Sequence, residues 1–431
     1  MTIPGARPRS DLVPARLLPL LYFATGYLAL PLAFAVVAVN PRAVGGFFYH
    51  SRLIGVVHLV TLGWITSAIL GALYIVLPVA LRSSLPARKA DYWAFAFVLT
   101  GIIGMVAHFW LEAFSGMAWS GVTVALGIVY VGARVMPRVA RAPIHGAVKL
   151  HVLLAFVNMA LAATAGVAIG FDKVYHFLPG YVISNVLAHA HLAALGWASM
   201  MVIGVGYRLL PMVLAAKTPT GHGLYASAAL LELAALGLFV SLTLRSGWSW
   251  LFASSAAGAF AVFVTHVRRM QRRRPAAGLP KPDIGAWHAL QALAYLVLAI
   301  LLGIALTWIE PSEWTMRLAL VYGVFGLIGF LAQMVMGMQM RLVPMAAWYW
   351  NYVLTGAPPT ISAHAMASLR WAIVSFILWT AAVPTIAFGF ALNSPGLLSA
   401  GAWTGCVATI ISGVQGLFVV RHAFNTPAWM P

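Results

Sequence analysis

The 431 residues are 62% apolar and 8% charged, with a formal net charge of +18. A soluble domain carries roughly 25% charged residues, so this composition excludes a water-facing globular surface and assigns the chain to a bilayer. The Lys and Arg excess lies between hydrophobic runs, which argues against nucleic acid as a partner, and the lone Cys406 excludes an internal disulfide and thiolate-clustered zinc or iron–sulfur centres.

The opening MTIPGARPRSDLVPAR is short, basic and Pro-rich and leads into a full-length apolar stretch, so no cleavable signal peptide is expected. Twelve stretches long enough to span a bilayer follow, near 17–39, 53–81, 91–113, 117–137, 149–170, 180–213, 222–244, 248–268, 286–309, 315–345, 364–390 and 397–420. The sixth and tenth are long and must tilt or project beyond the bilayer. Basic residues cluster before the first span (Arg7, Arg9, Arg16) and in the second (Arg82, Arg88, Lys89), fourth (Arg134, Arg138, Arg141, Lys149) and eighth loops (Arg268, Arg269, Arg272, Arg273, Arg274, Lys281). The odd-numbered loops carry Arg42, Arg52, Lys173, Arg245 and Arg317. The positive-inside rule then puts both termini in the cytoplasm of a bacterial-type inner membrane, with even-numbered spans running inward. The expected fold is an all-α polytopic membrane protein, a single transmembrane domain over 1–431.

A repeat runs through it. Residues 58–81, HLVTLGWITSAILGALYIVLPVAL, align with 191–214, HLAALGWASMMVIGVGYRLLPMVL, at an offset of 133. A fainter copy lies 133 further on, where Gly329, Phe330, Gly337, Met340, Arg341, Leu342, Pro344 and Met345 echo Gly196, Trp197, Gly204, Tyr207, Arg208, Leu209, Pro211 and Met212. The fifth and ninth spans align His151 with His288 and Gly166 with Gly303. Twelve helices therefore group into three pseudo-equivalent four-helix units, near 17–137, 149–268 and 286–420. Close packing accounts for the glycines, and helix termination for the prolines. Neither accounts for His58 and His191 at one depth, because the third unit has Val324 there.

Of thirteen histidines, His145, His151, His222, His266, His288, His364 and His422 fall near the cytoplasmic boundary, where interfacial or capping roles are expected. His50, His58, His108, His176, His189 and His191 fall toward the outer side, and His58, His189 and His191 lie well inside apolar helix, where ionisable residues mark function. Residues two apart on a helix point about 200° apart, so His189 and His191 face different sites. Imidazoles without thiolates or local carboxylates suit haem iron or copper, whereas zinc wants three or four converging ligands. Secondary candidates are His108 with Glu112 on one face of the third span, Glu232 in mid-span as a proton-path residue, and the run Met334, Met336, Met338, Met340 as a Cu(I) site.

The segment HAHLAALGW followed by GYRLLP resembles the His-x-His and Tyr-x-x-x-Pro text of C-type haem-copper oxidases and nitric oxide reductases, and HLVTLGW resembles the low-spin haem helix of that superfamily. The haem- and copper-containing NnrS-like membrane proteins are a related comparison. The resemblance implies b-type haem with His58, His189 and His191 as ligands, possible copper, and turnover or binding of nitric oxide or dioxygen. It also implies an electron donor such as a periplasmic cytochrome or cupredoxin, or quinol. The chain differs from the oxidases in placing His-x-His on the sixth span rather than the tenth, and in lacking a histidine pair at the seventh. Two other classes fit the residues: a transporter or metal-handling permease, and a non-catalytic haem sensor or assembly factor.

Overall fold

A computed structural model describes residues 12–45, 50–214, 216–273 and 283–424. Arg7, Arg9, Arg274 and Lys281, part of the charge bias above, lie outside the described residues. Among the described residues, twelve helices are long and apolar enough to cross a membrane: α1 (Leu17–Val39), α2 (Ser51–Val79), α3 (Lys89–Leu111), α4 (Phe114–Arg141), α5 (Gly146–Tyr175), α6 (Val182–Met212), α7 (Gly223–Thr243), α8 (Ser249–Arg272), α9 (Ile284–Leu306), α10 (Glu313–Thr355), α11 (Leu369–Ala391) and α12 (Pro395–Arg421). They are apolar all round, and large side chains such as Leu28, Leu111, Leu301 and Phe388 stay exposed on their outer faces. That is the surface of a multi-pass membrane protein, whose solvent is hydrocarbon.

Three boundaries differ from the hydropathy reading by five residues or more, one being the end of α5 at Tyr175 rather than near 170. Residues 364–368 form a short 3₁₀ turn and its flank rather than the start of α11, consistent with Pro358 and Pro359 just upstream. Pro344 lies inside α10 instead of stopping it, and the helix continues to Thr355. A proline removes one helical hydrogen bond. The extension is held by longer-range contacts: Trp350 Nε1–H donates to the Pro14 carbonyl (3.1 Å) and Asn351 Nδ2–H to that of His422 (2.8 Å). Both ends of the described chain therefore meet the same end of α10.

Helices α2, α6 and α10 each contain a π-helical stretch: Leu59–Thr66, Leu192–Ser199 and Val324–Ala332. The first two begin directly after His58 and His191. Wide π turns are rare and concentrate at functional sites. A glycine in each stretch admits a neighbouring helix. A Cβ at Gly63 would lie 2.5 Å from Ala29 Cβ of α1, one at Gly196 2.7 Å from Asn158 Cβ of α5, and one at Gly329 2.6 Å from Tyr295 Cγ of α9. The π stretches also bond to one another: Trp64 Nε1–H donates to the Ala332 carbonyl (3.1 Å) and Trp197 Nε1–H to Thr66 Oγ1 (3.0 Å). Helices α2, α6 and α10 thus meet at the centre of the bundle, with His58 of α2 and His189 and His191 of α6 toward one end and Pro78, Pro211 and Pro344 toward the other.

The proline end is pinned by polar groups. Asp91 is fully buried, receives both a Tyr74 hydroxyl (2.9 Å) and the Arg134 guanidinium (2.8 Å), and ties α2, α3 and α4 together. Arg341 pairs with Asp283 at the start of α9, and Arg208 Nε–H donates to the Ala80 carbonyl (2.8 Å) beyond α2. These arginines serve packing there, away from the histidine end.

Candidate functional site

A cavity of about 1000 Å³ occupies the histidine end between α2, α5, α6 and α10. That is the upper end of the roughly 300–1,000 Å³ usual for small-molecule sites. Its walls are mainly aliphatic and aromatic, and His58, His189 and His191 all line it.

Each of the three imidazoles is held by its Nδ1. His58 Nδ1–H donates to the Ile54 carbonyl (2.8 Å), one turn back on α2. His191 Nδ1–H does the same with Leu187 on α6 (2.8 Å), and His189 Nδ1–H crosses to the Ala162 carbonyl of α5 (3.0 Å). A carbonyl only accepts, so Nδ1 carries the proton in all three, and in the neutral ring Nε2 carries a lone pair. This is how ligating histidines are oriented, with one nitrogen tied to a backbone carbonyl and the other presented to the metal.

The three Nε2 atoms then part ways. The Tyr322 hydroxyl of α10 donates to His191 Nε2 (3.2 Å), with the two rings stacked at 18°. Among the described residues, no hydrogen bond engages Nε2 of His58 or of His189. His58 of α2 and His189 of α6 stand on different helices and line the same cavity. The ring of Phe109 backs that of His58 at 5.1 Å. Gly166 seats His189: a Cβ there would lie 2.8 Å from His189 Cε1. As the two-residue spacing requires, His189 faces α5 and His191 faces α10, yet both border one continuous cavity.

The other candidates lie elsewhere. His108 does not line the cavity; its Nδ1 meets Ser120 Oγ (3.3 Å) on α4. Glu112 is the left-handed C-cap of α3 (φ 57°), just past the last helical residue Leu111, and among the described residues no side-chain hydrogen bond joins it to His108. Glu232 lies midway along α7, outside the cavity lining, and accepts from Asn158 Nδ2–H (2.6 Å). Met334 and Met336 are buried in packing, and neither lines the cavity. Among the boundary histidines, His145 caps α5 by accepting from the Ala147 amide (3.2 Å). His151 and His288 are fully buried in the protein. Each lies at least a turn inside its helix, where Gly204 of α6 and Gly337 of α10 leave room for its Cβ.

Tyr322 was not singled out from the sequence, although the repeat contains the signal. It lies 133 residues beyond His189, and a Cβ at Gly303 would meet its ring at 2.9 Å, much as Gly166 meets His189. Asn158 was missed because its partner Glu232 is 74 residues away.

Among the described residues, no three of His, Cys, Asp and Glu gather as a protein-only metal centre. Haem makes a smaller demand, because the macrocycle fills four positions on iron and the protein adds one or two. Two oriented imidazoles on different helices, bordering a large apolar cavity, meet that demand. No protein-family model matches this chain, and no curated protein matches it.

Proposed function

We propose that the chain is a haem-binding redox protein of a bacterial-type inner membrane, built as three four-helix units with both termini cytoplasmic and resembling the catalytic subunit of haem-copper oxidases. In this reading His58 and His189 are the iron ligands of a b-type haem. The observation that carries it is the pair of Nε2 lone pairs, on imidazoles locked through Nδ1, beside one cavity of about 1000 Å³. Haem, when bound, supplies a one-electron couple and an iron able to take a diatomic ligand such as nitric oxide or dioxygen.

The chain's own residues do the positioning. The carbonyls of Ile54 and Ala162 fix the tautomers, Phe109 and Gly166 bear on the ring planes, and aliphatic side chains form most of the cavity wall. Lys173 lines the rim, where a cation suits haem carboxylates. His191 is engaged by Tyr322 and stands apart from this pair as the polar group of the α10 side.

Expression with ample haem followed by absorption spectroscopy of the purified protein tests the reading. A Soret band with near-stoichiometric haem is expected. A colourless protein of native size and helicity contradicts it.

A further inference from the structure

Glu232 and Asn158 form a polar pair in the membrane interior that the haem reading does not use. Glu232 is the tenth of the 21 residues of α7, at mid-span. A carboxylate at that depth is costly unless paired or neutralised, and no ion pair engages it among the described residues. Its one hydrogen bond comes from Asn158 Nδ2–H of α5 at 2.6 Å. Asn158 is itself fully buried, and its Oδ1 has no hydrogen-bond partner. The pair thus joins a carboxylate that takes one hydrogen bond to an amide whose oxygen, among the described residues, takes none. Hard oxygen donors of this kind take a proton or a hard cation.

Packing does not call for an asparagine here. The glycines Gly63, Gly196 and Gly329 are met by Ala29, Asn158 and Tyr295 respectively, so an apolar or aromatic residue fills the same notch elsewhere. From α5, Glu232 meets Asn158. Of the titratable groups on the packed helices, His151 of α5, Tyr207 of α6 and His266 of α8 gather at the start of α7 around Gly223 and Ser227, whereas Lys149, Arg208, Arg268, Arg269 and Arg272, and at the other end Asp172, Lys173, Tyr175 and His191, lie toward the helix ends. Beyond the pair, His189 bonds Ala162, one turn along α5 from Asn158, and α8 contributes Ser255, which donates to the Leu230 carbonyl.

We infer that Glu232 and Asn158 form a binding site for a single monovalent cation, a proton or a sodium ion, at mid-membrane behind the π stretch of α6. Its occupant bears on that stretch directly, because the Asn158 side chain abuts Gly196. The site is independent of haem.

Hydrophobic carbodiimide labelling of the full-length protein in membranes, read by mass spectrometry, tests it, since the reagent modifies protonated carboxyls in apolar surroundings. Glu232 is expected to label. Labelling should fall at least tenfold as pH is raised from acid to alkaline if the occupant is a proton. It should fall at fixed pH on adding sodium chloride, but not potassium chloride, if the occupant is sodium. Asn158→Leu removes the amide oxygen and should shift either dependence by tenfold or more, while size-exclusion behaviour reports folding. A Glu232 that is unlabelled throughout, or labels at a rate that neither pH, sodium nor Asn158→Leu alters, overturns the site. His58→Ala, carried through the same assay, should leave the labelling pattern intact and so separates this site from the haem reading.

Discussion

Gly166→Ala is the smallest change that reaches the proposed iron ligand without touching it. The new methyl would lie 2.8 Å from His189 Cε1 and 3.4 Å from both ring nitrogens. Favourable carbon–carbon contact begins near ~3.5 Å, so the ring must retreat by about 0.7 Å. That movement strains the 3.0 Å bond from Nδ1–H to the Ala162 carbonyl, on the same helix as the new methyl. Disturbing the group that orients a metal ligand typically costs about 10–100-fold in affinity. Haemin titration of the haem-depleted variant, followed at the Soret band, should therefore show affinity about 10–100-fold below wild type. Gly303→Ala is the matched control: its methyl would press on Tyr322 at 2.9 Å and leave His58 and His189 in place. Equal affinity for Gly166→Ala and wild type, or a larger loss for Gly303→Ala, would refute the assignment of His189.

Other changes separate packing from chemistry. Gly204→Ala overlaps the Cβ of buried His151 and should cost about 1–3 kcal/mol of stability by overpacking. Gly326→Ala meets nothing within 4 Å, so a thermal melt in detergent should show it no less stable than wild type. Asp91→Ala leaves the Arg134 guanidinium buried without its partner and should cost about 3–5 kcal/mol, seen as the largest fall in melting temperature of the set. Reporter fusions after Thr243 should read as outside and fusions after Arg421 as cytoplasmic, and the reverse pattern contradicts the orientation taken from the basic loops.

Hydropathy made the twelve spans legible because a helix in hydrocarbon needs about 20 apolar residues whatever its neighbours. It failed at the end of α10, where Pro344 reads as a stop. What carries the helix onward, the bonds of Trp350 to Pro14 and Asn351 to His422, is tertiary and has no local signature. The repeat led to His58 and His191 because both residues are identical at one register. It did not reveal Tyr322 because that position, 133 residues beyond His189, keeps a seated ring and changes its chemistry. Helical spacing paired His108 with Glu112 without the helix end at Leu111, which makes Glu112 a left-handed cap. The tautomers were wholly illegible: they follow from carbonyls that only the folded backbone brings to each Nδ1.

The most direct test of the haem assignment is haem content in His58→Ala, His189→Ala and His191→Ala, each expressed with ample haem and normalised to folded protein. His58→Ala and His189→Ala should lose most of the Soret absorbance and bound haem. His191→Ala, which removes only the partner of Tyr322, should retain it. Full haem in both of the first two variants would contradict the assignment, as would loss confined to His191→Ala.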